Sequence, residues 1–320
     1  MAEWVYEAGI GENRAALIED GQIIEIAIEV ESEALRAGAI VAARLRANRI
    51  IDCESGEQAL LDAVPRGLTE GAAFYALMTR EALPEPGKPK RAKARVASDA
   101  VAPQPAPSLL ERIHPAVGLS LHAPDALEAA GWSEMIESAA SGHVQFDGGA
   151  VQISLTPAMT LIDIDGHLDP AALGIAGATA AARVIRAFDI AGSIGIDFPT
   201  TASKAERSAI ADSFDSILPP PFERTAVNGF GFMQIIRPRA RASLCELLIA
   251  DPIGHESRAL IRRAQRSGLV GNIVIVAAPR MKALLEDRPA WLAQLGAQLG
   301  GTVSLRADPH IGIGGGYVAR

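Results

Sequence analysis

Aromatic residues make up only 4% of the 320-residue chain, so the core must be built largely from Ala, Leu, Ile and Val; that scarcity is a composition bias and carries no function. Cysteine is almost missing. Cys53 and Cys245 stand far apart, with neither a Cys-x-x-Cys nor a Cys/His spacing, which reads as two reduced, buried thiols and no zinc site. No apolar run approaches the roughly 20 residues needed to span a bilayer, and the opening Met1-Ala-Glu-Trp-Val-Tyr-Glu7 has the wrong polarity for a signal peptide. The expectation is a soluble cytoplasmic protein without a membrane partner. Excess positive charge is lacking too. Thirty Lys and Arg against 38 Asp and Glu give a net charge of −8, which argues against coating nucleic acid by bulk electrostatics and leaves only local clusters. What is present, 49% hydrophobic and 21% charged residues, is the composition of a globular chain long enough for two domains.

In chain order, Glu12 to Glu29 reads as a β-hairpin turning at Asp20-Gly21. Short β runs follow at Gly38–Arg46, Glu57–Leu61 and Phe74–Arg80, suggesting a small barrel or OB-like module; helices over 33–45 and 57–64 are the rival reading. The basic run Lys88, Lys90, Arg91, Lys93, Arg95 is either a solvated linker edge or a phosphate contact, and the Pro/Ala-rich 97–108 is a linker or mobile loop. Residues 109–138 read as helix in two parts, 142–155 as a hairpin at Asp147-Gly148-Gly149, 169–188 as an Ala-rich helix packed closely on a sheet, and 204–217 as a second helix. A strand at 227–236 leads to Arg237-Pro-Arg239. The tail reads as helix over 244–265, then strand, one helix over 279–299, strand and strand.

Two stretches carry the chemistry. Thr160-Leu-Ile-Asp163-Ile-Asp165 and Ser193-Ile-Gly-Ile-Asp197 are apolar β runs ending in carboxylates, joined by a single helix, so the two can lie side by side. Clustered carboxylates repel and are costly to bury unless a hard cation such as Mg²⁺ compensates them. The bland alternative is that Asp163 and Asp165 cap a turn and Asp197 caps the next helix. Arg237 and Arg239 read as alternating to one face of a strand, either toward RNA phosphates or as a solvated edge. Phe230 and Phe232 share a face and suit either base stacking or core packing. Lys204 and Arg207 are phosphate contacts or a solvated helix face. The six histidines show no paired metal spacing, and Gly312–Gly316 lacks the Lys-Ser/Thr of a phosphate loop.

Several segments together resemble the ribonuclease E/G family of endoribonucleases. Glu12-Asn-Arg-Ala-Ala-Leu-Ile-Glu-Asp-Gly21 is similar to the family's opening hairpin, and Leu77 to Arg95 to the close of its S1 module. The most specific segment is Gly148-Gly149-Ala-Val-Gln-Ile-Ser-Leu-Thr-Pro-Ala-Met-Thr-Leu-Ile-Asp163, which resembles the strand of the first catalytic aspartate. Phe188 to Phe198 resembles the strand of the second, and Asn228-Gly-Phe230-Gly-Phe-Met-Gln-Ile-Ile-Arg237-Pro-Arg239 the family's Phe-Gly-x-x-Glu-x-x-Arg-x-Arg strand.

The resemblance implies an α/β protein with an RNase H-like core, an inserted S1/OB-like β module and a small C-terminal α/β subdomain. The implied division is 1–35 hairpin completing the core, 36–96 S1/OB-like module, 97–108 linker, 109–243 core and 244–320 subdomain. It implies hydrolysis of phosphodiester bonds in single-stranded RNA, with Mg²⁺, or Mn²⁺ in its place, on Asp163 and Asp197, with Asp165 beside them and Arg237, Arg239, Lys204, Arg207 and Phe230 toward RNA. Three departures stand against it. Asp165 falls where the family commonly has Asn, the Cys-Pro-x-Cys zinc link is missing so no zinc-bridged dimer follows, and the Arg-Thr signature of the 5′-monophosphate sensor is absent. A non-catalytic RNA-binding protein on the same fold is the main alternative, and a hydrolase of some other phosphoester a third.

Overall fold

The computed structural model describes residues 1–85, 89–97 and 102–320 of a mixed α/β protein. Lys88 of the basic run and residues 98–101 of the expected linker lie outside the described residues. Strands β1 (Glu3–Ala8), β2 (Glu12–Glu19) and β3 (Gln22–Val30) form an antiparallel meander, β2 and β3 turning at Asp20-Gly21 as the sequence suggests. β1 is an addition to that reading.

Next comes a closed barrel of β4 (Ile40–Leu45), β5 (Ile50–Cys53), β6 (Gln58–Leu61), β7 (Ala73–Arg80) and β8 (Ala92–Val96), in the order β4-β5-β6-β8-β7. Ile51, Leu61, Met78, Ala59 and Ala94 fill it. The helical rivals over 33–45 and 57–64 do not form. In β8, Ala92 and Ala94 turn inward, while Lys93 is half-buried and Arg95 exposed; this part of the basic run is a barrel strand and no linker edge. Beyond residue 101 the chain lies against the barrel, Gln104 and Ile40 exchanging two backbone hydrogen bonds of 3.0 Å.

After α1 (Leu109–Ile113), the short β9 (Val117–Gly118) extends the first sheet alongside β1, followed by α2 (Ala126–Ala129) and α3 (Trp132–Ser141). The central sheet holds β10 (His143–Phe146), β11 (Gly149–Leu155), β12 (Thr160–Gly166), β13 (Gly192–Asp197), β14 (Glu223–Arg224) and β15 (Phe232–Arg237), in the order β10-β11-β12-β13-β15-β14. All neighbours are antiparallel except β12 and β13, which α4 (Pro170–Ala187) connects in parallel. Asp169 caps α4 by accepting from Ala172 N, and Pro170 occupies the first turn, where its missing N–H costs nothing. The helix packs closely because of its small residues: a Cβ on Gly177 would stand 2.3 Å from Ile164 Cγ2. Ile162, Ile164, Ile194 and Ile196 fill the core on the α4 side, leaving the opposite side of β12 and β13 to solvent.

The helix α5 (Lys204–Asp215) opens on a Ser203–Glu206 capping box. The C-terminal part comprises α6 (Leu244–Ala250), α7 (Pro252–Arg266), β16 (Ile273–Ala277), α8 (Pro279–Glu286), α9 (Pro289–Leu299), β17 (Val303–Ala307) and β18 (Tyr317–Ala319) around its own core of Leu260, Ile275, Met281, Leu285 and Leu295. The single helix expected over 279–299 is two, because Pro289 offers no N–H to continue α8 and disfavours helical geometry in the residue before it. The last strand is shorter than expected, with Ile313–Gly315 in a 3₁₀ turn before it.

Arg258, Arg262 and Arg266 repeat every four residues along α7 and so share one face. That face meets the first sheet: Arg262 donates to Glu7 at 2.8 Å and Arg258 to Glu12 at 2.6 Å, while Asp125 and Glu128 close around Arg262. Glu7, Glu12, Arg14, Arg258 and Arg262 are all buried. No helix among the described residues is long and apolar enough to cross a membrane.

Candidate functional site

Side chains alternate across a strand, so with Ile162 and Ile164 turned into the core, Asp163 and Asp165 project from the open face of β12. In β13 the same argument turns Ile194 and Ile196 inward and leaves Gly195 and Asp197 on that face. The parallel register places Asp163 directly beside Asp197, about 4.8 Å away across the strands. Asp165 lies one pleat farther along β12, past the end of β13 and opposite Ala150. All three carboxylates are exposed. Lost solvation at the sheet surface, then the charges of Asp165 and Asp197, push the Asp163 carboxyl above its ordinary value, partly offset by the Ile164 N–H. No basic side chain is among those causes.

A cation would relieve this repulsion. Mg²⁺ takes one or two protein carboxylates and keeps several waters, and the paired Asp163 and Asp197 fit that donor set. Among the described residues no group of three His, Cys, Asp or Glu side chains converges as a metal cage, in keeping with Asp165 standing apart.

The same register continues across the sheet. His143 opposes Gln152, Gln152 opposes Asp163, and Asp197 opposes Phe232. His143 Nδ1 and Gln152 Oε1 are 3.1 Å apart, within hydrogen-bond reach. Gly195 makes room for the Phe232 ring: a Cβ there would stand 2.5 Å from its Cζ and 3.1 Å from Leu161 Cδ2. Sequence reasoning passed over Gln152 and left His143 without a role. The signal was countable, since a hairpin turning at Asp147-Gly148 brings these two residues opposite each other.

The other expected residues divide. Phe230 is 85% exposed in the turn before β15, where Asn228 Oδ1 accepts from the Phe230 and Phe232 N–H groups, and Thr200, just beyond Asp197, donates to its carbonyl at 3.4 Å. Lys204 is exposed on the first turn of α5, and Arg207 donates to Thr201 O at 3.4 Å. The two arginines at the end of β15, Arg237 within it and Arg239 just past it, do not share the open face. Arg237 falls on the α4 side of the sheet, donating to Ile190 O at 2.7 Å and pairing with Asp189, while Arg239, beyond the strand, binds Glu246 in the first turn of α6. They close the ends of helices, a use that a one-face reading of Arg-Pro-Arg does not anticipate. No family model matches the chain, and no curated protein matches it.

Proposed function

We propose that this protein is a Mg²⁺-dependent endoribonuclease of the ribonuclease E/G type, hydrolysing single-stranded RNA at Asp163 and Asp197. The observation that carries the reading is the register pairing of these two carboxylates on parallel strands, with only like charges acting on Asp163. The order of the resembling segments supports it, as does a closed five-stranded barrel where the family inserts its S1 module. The RNase H-like description of the core belongs to this same proposal.

Bound Mg²⁺ would supply a water nucleophile near neutral pH and offset charge on the phosphate. The chain's own residues do the rest. Asp163 and Asp197 hold the cation from adjacent strands, Asp165 adds negative charge one pleat away, and Phe230 and Phe232 offer ring faces to unstacked bases. Lys204 and the part-exposed Arg207 stand on the element that follows Asp197, within the same end of the sheet.

Asp163→Asn and Asp197→Asn are each expected to abolish chelator-sensitive cleavage of a fluorogenic single-stranded RNA while circular dichroism stays unchanged. A double variant that cuts as fast as wild type would sink the assignment. The second reading, an RNA-binding protein without catalysis, is favoured by the acidic balance of the chain and by the missing zinc link and 5′-sensor signature. Binding of RNA by wild type without Mg²⁺-dependent cutting decides for it.

A further inference from the structure

The open face of the central sheet holds one row of register partners in which every position carries usable chemistry. It runs His143, Gln152, Asp163, Asp197, Phe232 across β10, β11, β12, β13 and β15. With neighbouring strands about 4.8 Å apart, its five positions span roughly 19 Å. The adjacent rows are poorer: one has Ala150 between Gln145 and Asp165, and the other has Leu161 and Gly195 between Ser154 and Gln234.

The two ends of the row differ in what they recognise. At the β15 end, the half-buried Phe232 ring reaches over Gly195 and offers aromatic surface, which every base accepts whatever its sugar. At the β10 end, His143 and Gln152 form a hydrogen-bonded pair. When Nδ1 carries the ring proton and donates to Gln152 Oε1, the ring's Nε2 keeps its lone pair and the Gln152 amide keeps its N–H donors. An acceptor beside a donor matches a hydroxyl, which gives one hydrogen bond and takes another. The ribose 2′-hydroxyl is the group by which a protein tells RNA from DNA.

We propose that single-stranded RNA crosses the strands of this sheet along the row, with a base on Phe232, a backbone phosphate beside the cation that Asp163 and Asp197 would hold, and the 2′-hydroxyl of the nucleotide on the β10 side held between His143 and Gln152. This rests on the reading of the carboxylate pair as an RNA site. It adds the direction of the strand and the residues that select RNA. His143 and Gln152 are substrate-binding residues that set specificity, two strands and one strand away from Asp163.

The test is fluorescence anisotropy with labelled RNA and DNA oligonucleotides of one sequence, on the full-length Asp163→Asn protein in Mg²⁺ buffer. In that background the RNA-to-DNA affinity ratio is expected to be about tenfold and to fall to about one in His143→Ala and in Gln152→Leu. Phe232→Ala is expected to weaken both ligands by about tenfold and leave the ratio standing, in line with the stacking energy of one base. His143 and Gln152 are exposed, so their truncation leaves the core intact, and a thermal melt of each variant checks this. An unchanged ratio in both variants, or no binding of either oligonucleotide, overturns the path. An unchanged ratio with Asp163→Asn dead for cleavage removes the path and leaves the nuclease reading standing. A collapsed ratio with Asp163→Asn still cutting RNA supports the 2′-hydroxyl contact of His143 and Gln152 and overturns the phosphate position at Asp163 and Asp197, the metal reading with it.

Discussion

Adjacent side chains along β15 face opposite environments. Phe232 and Gln234 share the face of Asp197, whereas Arg237 turns toward the end of α4 and donates to Ile190 O, with Ile185 O at 3.5 Å. Arg237→Ala is therefore expected to cost about 1 to 3 kcal/mol of folding stability by leaving the Ile190 carbonyl without its donor; Ile185 O keeps the Ile190 N–H. Urea denaturation measures this, and its effect on RNA affinity should be smaller than that of Phe232→Ala. The carboxylates were legible in the sequence because Ile-Asp-Ile-Asp admits one orientation once the isoleucines are buried. Arg237 was not, since its orientation depends on a register counted from Phe232 and on a helix end brought there by the fold. Gln152 was missed for a related reason: it gains meaning only from the strands on either side of it.

At the scale of elements, turn chemistry and helical periodicity made much of the chain readable. Asp20-Gly21 and Asp147-Gly148 marked two hairpins, and the spacing of small and apolar residues marked α4 and α5, whose caps at Asp169 and at Ser203 with Glu206 the structure adds. What escaped were short strands such as β5 and β14, whose four and two residues show too little alternation to stand out, and β8, whose lysine and arginine masked the inward alanines. The close seating of α4 on the sheet has a measurable consequence. Gly177→Ala would place a methyl group 2.3 Å from Ile164 Cγ2, and Ile164 lies on β12 between Asp163 and Asp165. The helix must lift or the strand must shift. The variant is expected to lose about 1 to 3 kcal/mol in urea denaturation and to weaken Mg²⁺ binding, measured by titration calorimetry, more than a change at an exposed α4 position such as Arg183→Ala.

For the whole molecule, the buried charges between α7 and the first sheet set the pH response. Burial works to raise the Glu12 carboxyl, but the charges of Arg14 and Arg258 outweigh it and hold the group below its ordinary value. A carboxylate lowered on folding contributes stability that is whole above its unfolded value of about 4.3 and fades as pH falls through the lower folded value. Wild type should therefore lose stability below about pH 4. Glu12→Gln, which strands the partner arginines, should be weaker by about 3 to 5 kcal/mol near neutrality and show a shallower acid limb, both read from urea titrations across pH. These contacts also bear on how the chain is made. Arg14 is at hand for both Glu12 and Glu7 from the outset, but their partners on α7, Arg258 and Arg262, come 246 and 255 residues later. On the ribosome, the first sheet must remain half-solvated while the barrel and central sheet are synthesised, so it is among the last parts of this fold to consolidate.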